Sequence, residues 1–179
     1  MRCTLVCGAV VAMVSSAASA DFVITLNNFA ANGFQFSQAV APGALTGTLT
    51  GVSVNASLLS STAFTYADDL CVYVDVLPLS LNGLLQVGGY SDLGAQQRYF
   101  WPSGASDAIG TVVAGDVVFT GGIDMATPNI AVWVGNGYGA AGTAGTWSGT
   151  ITLHGVNAVP APGAIALLAL AGVVGRRRR

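Results

Sequence analysis

The side chains able to do chemistry are few in this chain: one histidine, three cysteines and no glutamate, so every acidic side chain is one of eight aspartates. His154 has no Gly-x-Ser-x-Gly elbow and no second histidine to work with, and on an extended segment it falls on the polar face, which predicts a solvated surface position rather than a general base. One histidine, one cysteine beyond residue 20 and no glutamate do not fill a tetrahedral zinc site. Asp68 and Asp69 are the one adjacent carboxylate pair, with Asp75 a few residues on. Calcium would want several such oxygens, but the spacing matches no EF-hand loop, and the expectation is a solvated turn that caps a strand entry. No catalytic, cofactor-binding or metal-ligating residue is therefore assigned, and no cofactor is expected.

Aromatic residues form the other group of interest: Tyr90, Tyr99, Phe100, Trp101, Trp133, Tyr138 and Trp147. The run Tyr99-Phe100-Trp101 cannot face inward at every position if extended, because successive side chains alternate between faces. At least one ring is then exposed or folded under a loop, where it could stack on a sugar. The alternative is that the rings plug the ends of a core.

The elements that would position these residues read as strands. Val52, Val54, Ala56 and Leu58 alternate with Ser53, Asn55 and Ser57; Leu70, Val72, Val74 and Val76 alternate with Cys71, Tyr73 and Asp75; Trp147, Ile151 and Leu153 alternate with Ser148, Thr150, Thr152 and His154. Period-two alternation predicts strands with one buried and one wetted face. Shorter candidates are Phe22 to Leu26, Gly33 to Ser37, Gly83 to Val87, Val117 to Thr120 and Ile130 to Val134. Turn signals stand between them at Asn32-Gly33, Asn82-Gly83, Gly121-Gly122, Asn136-Gly137 and the glycine-rich stretch from Gly135 to Gly145. About eight strands, with no helix-period stripe in residues 21–156, predict an all-β, antiparallel two-sheet sandwich or jelly roll.

Composition narrows the function classes. The chain is 53% hydrophobic and 8% charged, the reverse of a disordered composition. Five of the six basic residues are Arg2 and Arg176 to Arg179, so the body carries Arg98 against eight aspartates, a net charge of −7. With no basic patch to neutralise phosphates, nucleic acid is excluded as a partner.

The two ends carry the most specific signals. Met1 and Arg2 precede an apolar run from Cys3 to Val14, and small residues follow, ending Ala18-Ser19-Ala20. This is the order of a secretory signal peptide over residues 1–20, cut by signal peptidase between Ala20 and Asp21. Cys3 and Cys7 leave with it, so Cys71 stays behind alone and is read as a small apolar packing residue. At the other end stand Val159-Pro160-Ala161-Pro162-Gly163, an apolar run from Ala164 to Val174, and Arg176 to Arg179. A helix of that length reaches less than about 20 Å, short of the ~30 Å hydrocarbon layer. The arginines are held on the cytoplasmic face by the positive-inside tendency.

In this order of parts, residues 157–179 resemble a PEP-CTERM sorting tail, whose pattern is a Val-Pro-Glu-Pro-like motif, a short membrane segment and a basic cluster. Val159, Pro160 and Pro162 match the motif, and Ala161 stands where the glutamate would be. The resemblance implies recognition by an exosortase, a multi-pass membrane enzyme, with Val159, Pro160 and Pro162 as the motif and Arg176, Arg177, Arg178 and Arg179 as retention charges. It also implies transient anchoring in the inner membrane and then a place on the cell surface or outside the cell. A second resemblance lies in the central domain: Asp68 to Val74 and Gly145 to Leu153 are similar to strands of the jelly-roll P-domain that accompanies proprotein convertases. Since no protease is fused here, it implies the fold alone.

The expectation is an exported, non-enzymatic surface or matrix protein with an adhesive or polymer-associated role. A carbohydrate- or calcium-dependent binding module is the alternative, with surface polysaccharide as candidate partner, and an envelope hydrolase is the least favoured.

Overall fold

The computed structural model describes residues 21–79 and 82–160. Nine strands occur among them: β1 (Phe22–Asn32), β2 (Phe36–Val40), β3 (Leu45–Thr62), β4 (Leu70–Asp75), β5 (Leu85–Val87), β6 (Gln97–Tyr99), β7 (Val112–Asp124), β8 (Ala131–Asn136) and β9 (Ala144–Ala158). One turn of 3₁₀ helix, Ala67–Asp69, leads into β4. The strands form a four-stranded sheet in the order β1-β9-β3-β7 and a five-stranded sheet in the order β2-β8-β4-β5-β6.

The pairings show how the chain is wound. β1 pairs with β9, β2 with β8, β3 with β7 and β4 with β5, all antiparallel. A long antiparallel ribbon that turns back between β4 and β5 has been rolled up, and the β3–β9 and β4–β8 ladders seal it. That is the eight-stranded jelly roll expected from the alternation. The ninth strand, β6, is an addition that runs parallel to β5.

Between the sheets lies a core of aliphatic side chains with Trp147 at full burial. Val52, Val54, Ala56 and Leu58 of β3 contribute to it, as do Ile151 and Leu153 of β9. Upstream in β3 the inward residues are Leu45 and Leu49, of odd number, whereas downstream they are even. An irregularity in register between Leu49 and Gly51 absorbs the change of phase, which otherwise would turn half of the strand inside out.

Several expectations need correction. Gly121-Gly122 is no turn: both glycines lie within β7, where the register against β3 jumps from Leu49↔Ile123 to Gly51↔Val118. They form a bulge, the other structure that glycine permits in a strand. β4 has no wetted face, since Leu70 to Val74 are all buried, and Val76 is exposed instead of continuing the inward row. The reason is cover from neighbouring segments: the Tyr73 ring packs edge-on against Phe36 of β2 and under Gly83 in the β4–β5 connection, and Cys71 lies beneath the backbone of Gly89 and Gly137. β2 begins at Phe36 rather than Gly33, β5 at Leu85 rather than Gly83, and β6 is too short to leave a periodic trace.

Candidate functional site

The connections β1–β2, β3–β4, β5–β6 and β8–β9 meet at one end of the sandwich. There the structure opens a cleft of about 190 Å³ lined by Phe64, Tyr66, Asp69, Tyr90 and Tyr138. A smaller recess of about 90 Å³ adjoins it across Tyr66, Asp69 and Tyr90 and reaches Asp68, Phe100 and Trp101. Three of these rings stand in solvent: Tyr90 is 75% exposed, Phe64 73% and Phe100 61%. By contrast Trp101 and Trp147 are buried and spend their indole N–H on backbone, on Leu70 O at 2.6 Å and Ala67 O at 3.0 Å. The sequence alternatives for the aromatic group thus divide: two tryptophans plug the core, and a tyrosine and a phenylalanine do not.

Asp69 organises the cleft. Its side chain is buried, and its two oxygens accept from the N–H of Tyr66 at 2.7 Å and of Tyr90 at 3.2 Å. Its carbonyl accepts from Gly137 N at 2.8 Å, while Asp68 O accepts from Gly89 N and Gly137 O from Ser91 N. Three loops are thereby tied to a single residue. Burial pushes the Asp69 carboxyl up to about 6, a rise opposed by the Tyr66 N–H, furthered by the neighbouring Asp68 charge and opposed again by the Tyr90 N–H. Burial raises Asp68 as well.

The Gly88-Gly89 pair, at φ of 76° and 79°, aims Tyr90 into this place. A Cβ on Gly88 would collide with Leu70 O and the Trp101 indole, and one on Gly89 would press on Gly137 at 2.8 Å. At Ala63 and the lining residue Phe64 the backbone is left-handed, at φ of 50° and 61°. For a residue as bulky as phenylalanine this is an outlier costing roughly 1–2 kcal/mol. The Phe64 ring carried on this backbone is exposed to water.

Arg98, the one interior cation of the sequence, lies beside the cleft with its Nη atoms and its face in use and its buried Nε without a partner. It donates from Nη2 to Tyr90 O at 2.8 Å, lies 3.7 Å from an Asp92 oxygen and stacks its guanidinium 4.5 Å from the centre of the Phe100 ring. Asp68 and Asp69, expected as a solvated turn, are half-buried and buried, and Asp75 is not among the residues lining the cleft. Among the described residues no group of three or more histidine, cysteine or acidic side chains converges as a metal site would require. Cys71 is buried, which pushes its thiol far up in pKa.

Tertiary folding also builds an arrangement around His154 that sequence reasoning missed. Ser53 Oγ and His154 Nε2 are hydrogen-bonded, and His154 Nδ1 lies 3.1 Å from Asp21 Oδ2. The order is that of nucleophile, base and orienting acid in serine hydrolases. An oxyanion site does not accompany it. Ser53 sits mid-strand between Thr152 and Asp116, so the ladders on both sides consume the backbone N–H groups that a nucleophile elbow would leave free. The His154 and Asp21 side chains are 34% and 52% exposed, so water screens the pair. The full chain incubated with a fluorophosphonate should show no adduct on Ser53 by peptide mass mapping. An adduct that vanishes in His154→Ala would make the trio catalytic after all.

Of the residues expected from the sequence to direct processing, Asp21 opens the described chain, and Val159 and Pro160 follow β9, with Val159 N donating to Ala44 O at 2.9 Å. Ala18, Ala20, Pro162, the run from Ala164 to Val174, Arg176 to Arg179 and the terminal helices expected with them lie outside the described residues. Among the described residues no helix is long and apolar enough to cross a membrane. Compared with protein-family models, with curated proteins and with solved structures, the chain gives no match.

Proposed function

We propose that this chain is an exported, exosortase-processed protein of the cell surface or extracellular matrix, whose β-sandwich serves adhesion to, or assembly with, extracellular polymer and performs no catalysis. One observation carries the reading: the edges of the sandwich coincide with the processing points read from sequence. β1 starts at Phe22, one residue after the Ala20–Asp21 junction, and β9 ends at Ala158, one residue before the Val159-Pro160 motif. A leader ending at Ala20, and a tail cut beyond Val159, can then be removed without taking a ladder hydrogen bond from β1 or β9, which is what an address appended to a finished domain requires. Signal peptidase and an exosortase are the processing partners in this reading, and the inner membrane is a transient station.

Mass spectrometry of the protein recovered from hosts with and without an exosortase reads both ends at once. The expected result is an N-terminus at Asp21 in both, and loss of Arg176 to Arg179 only where the exosortase is present. An intact Met1 on cytosolic protein, or the same C-terminus in both hosts, would sink the proposal.

A further inference from the structure

We infer that the cleft between Phe64 and Tyr90 is a binding site for a neutral polysaccharide, one sugar ring of which stacks its C–H face on the exposed aromatic rings. The inference deepens the adhesion reading by naming the class of polymer and the residues that hold it. Exposed rings alone would not suffice, because single apolar side chains are common on surfaces. Here they are gathered at one end, around a concavity, on a backbone that cannot move freely.

That fixed backbone is the central observation. Tyr90 has its N–H held by the buried Asp69 carboxyl and its C=O held by the Arg98 guanidinium, while its ring remains in water. Tyr66 N is held by the other oxygen of Asp69. The Tyr90 and Tyr138 rings meet edge-to-face at 5.5 Å and 77°, which sets the angle between them. Phe64, also in the lining, is carried by left-handed backbone. Ordering rings before a ligand arrives removes the entropy cost of ordering them on binding, and a flat C–H surface is what such rings accept from water. The tyrosine hydroxyls can donate to or accept from sugar hydroxyls at the rim.

Charge selects the class of polymer. Asp68 and Asp69 are the only carboxylates among the described residues that line the two recesses, and the one arginine of the described residues lines neither, its guanidinium turned to Tyr90 O, Asp92 and the Phe100 ring. Among the described residues no cationic side chain lines either recess, so within a domain of net charge −7 none stands there to meet a uronate, sulfate or phosphate. Size selects the mode. At about 190 Å³ the cleft is below the usual range of a site that encloses a whole small molecule. It suits one ring of a chain that continues past both sides.

The test uses the full-length chain in mild detergent, offered an array of neutral glycans and three insoluble neutral polymers (cellulose, chitin and a β-1,3-glucan), with alginate gel as the anionic counterpart. The expected result is retention on at least one neutral polymer, competed by its soluble oligosaccharide, with none on alginate. The double variant Phe64→Ala/Tyr90→Ala should weaken retention about tenfold or more. Val118→Ser, which alters an equally exposed residue on β7, should not. Because both cleft rings are exposed, melting of the double variant is expected to stay within a few degrees of the parent, which separates lost binding from lost folding. No retention on any neutral glycan, preference for alginate, or retention unchanged in the double variant would overturn the inference. None of these outcomes touches the processing reading, which stands or falls on the termini.

Discussion

Replacing Trp147 with alanine is expected to lower stability by about 3–5 kcal/mol and the melting temperature by more than about 10 °C, the largest effect of any single substitution outside the glycines. The indole is fully buried at the centre of the four-stranded sheet, opposite Phe29 of β1 on one side and Leu58 of β3 on the other. It lies over Gly145, where even a methyl group would run into the ring. Truncation to a methyl leaves a cavity in the middle of two ladders, and strands held in register on both sides cannot collapse to fill it. The ring also carries a directed bond, Nε1 to Ala67 O at 3.0 Å, from β9 to the 3₁₀ turn that ends at Asp69. Trp147→Phe keeps most of the apolar area and loses that bond, so its cost should be nearer 1–2 kcal/mol. Chemical denaturation of the two variants beside the parent measures both terms. Equal losses in the two would show that packing is not what the indole supplies.

The second large effect is at Asp69. Asp69→Ala takes the acceptor from two backbone N–H groups, those of Tyr66 and Tyr90, at once. Two N–H groups left without partners cost about 2–4 kcal/mol, and the same change frees both walls of the aromatic cleft. Asp69→Asn keeps one acceptor oxygen but sets an amide NH₂ against the other N–H, so it recovers only part of the loss.

The dependence on pH runs opposite to that of a salt-bridged aspartate. The Asp69 carboxyl titrates near 3.8 when free and at about 6 in the fold. Between those values the folded chain holds a proton that the unfolded chain has released. The contribution of this site is therefore fully present below about pH 4 and is lost as pH rises through 6. At about 1.4 kcal/mol per pH unit the decline is on the order of 3 kcal/mol as an upper bound. Other aspartates add a background of their own, so the measurement is the difference between parent and Asp69→Asn from pH 4 to 8. That difference should shift against the parent as pH rises; a shift in the parent's favour would refute the burial account.

Much of the architecture could be read before any coordinates. The three alternating segments around Val54, Val74 and Ile151 became the middle strands of the two sheets, since alternation follows directly from the pleat whatever the partner strand is. The wetted face of β4 was misread because alternation records only polarity. Tyr73 and Cys71 sit on the outer row there, and whether a loop covers that row depends on residues far away in the chain. The bulge at Gly121-Gly122 was misread because a glycine pair signals backbone freedom and not the use made of it.

The cleft was partly legible. Tyr90 and Tyr138 stood out as aromatic residues, and Gly88-Gly89 just ahead of Tyr90 was an available sign of a tight approach. Phe64 and Tyr66 gave no such sign, and they lie more than twenty residues from Tyr90 and more than seventy from Tyr138. Sequence by itself determined the β class and the acidic body without a basic patch, because composition and period are properties of neighbours along a chain. Only the tertiary structure decided that Asp69 would be buried beneath two backbone amides, and that Ser53, His154 and Asp21 would meet in a row. Both depend on which strands lie side by side. Rolling the ribbon makes that choice through non-local pairing, and no local pattern encodes it.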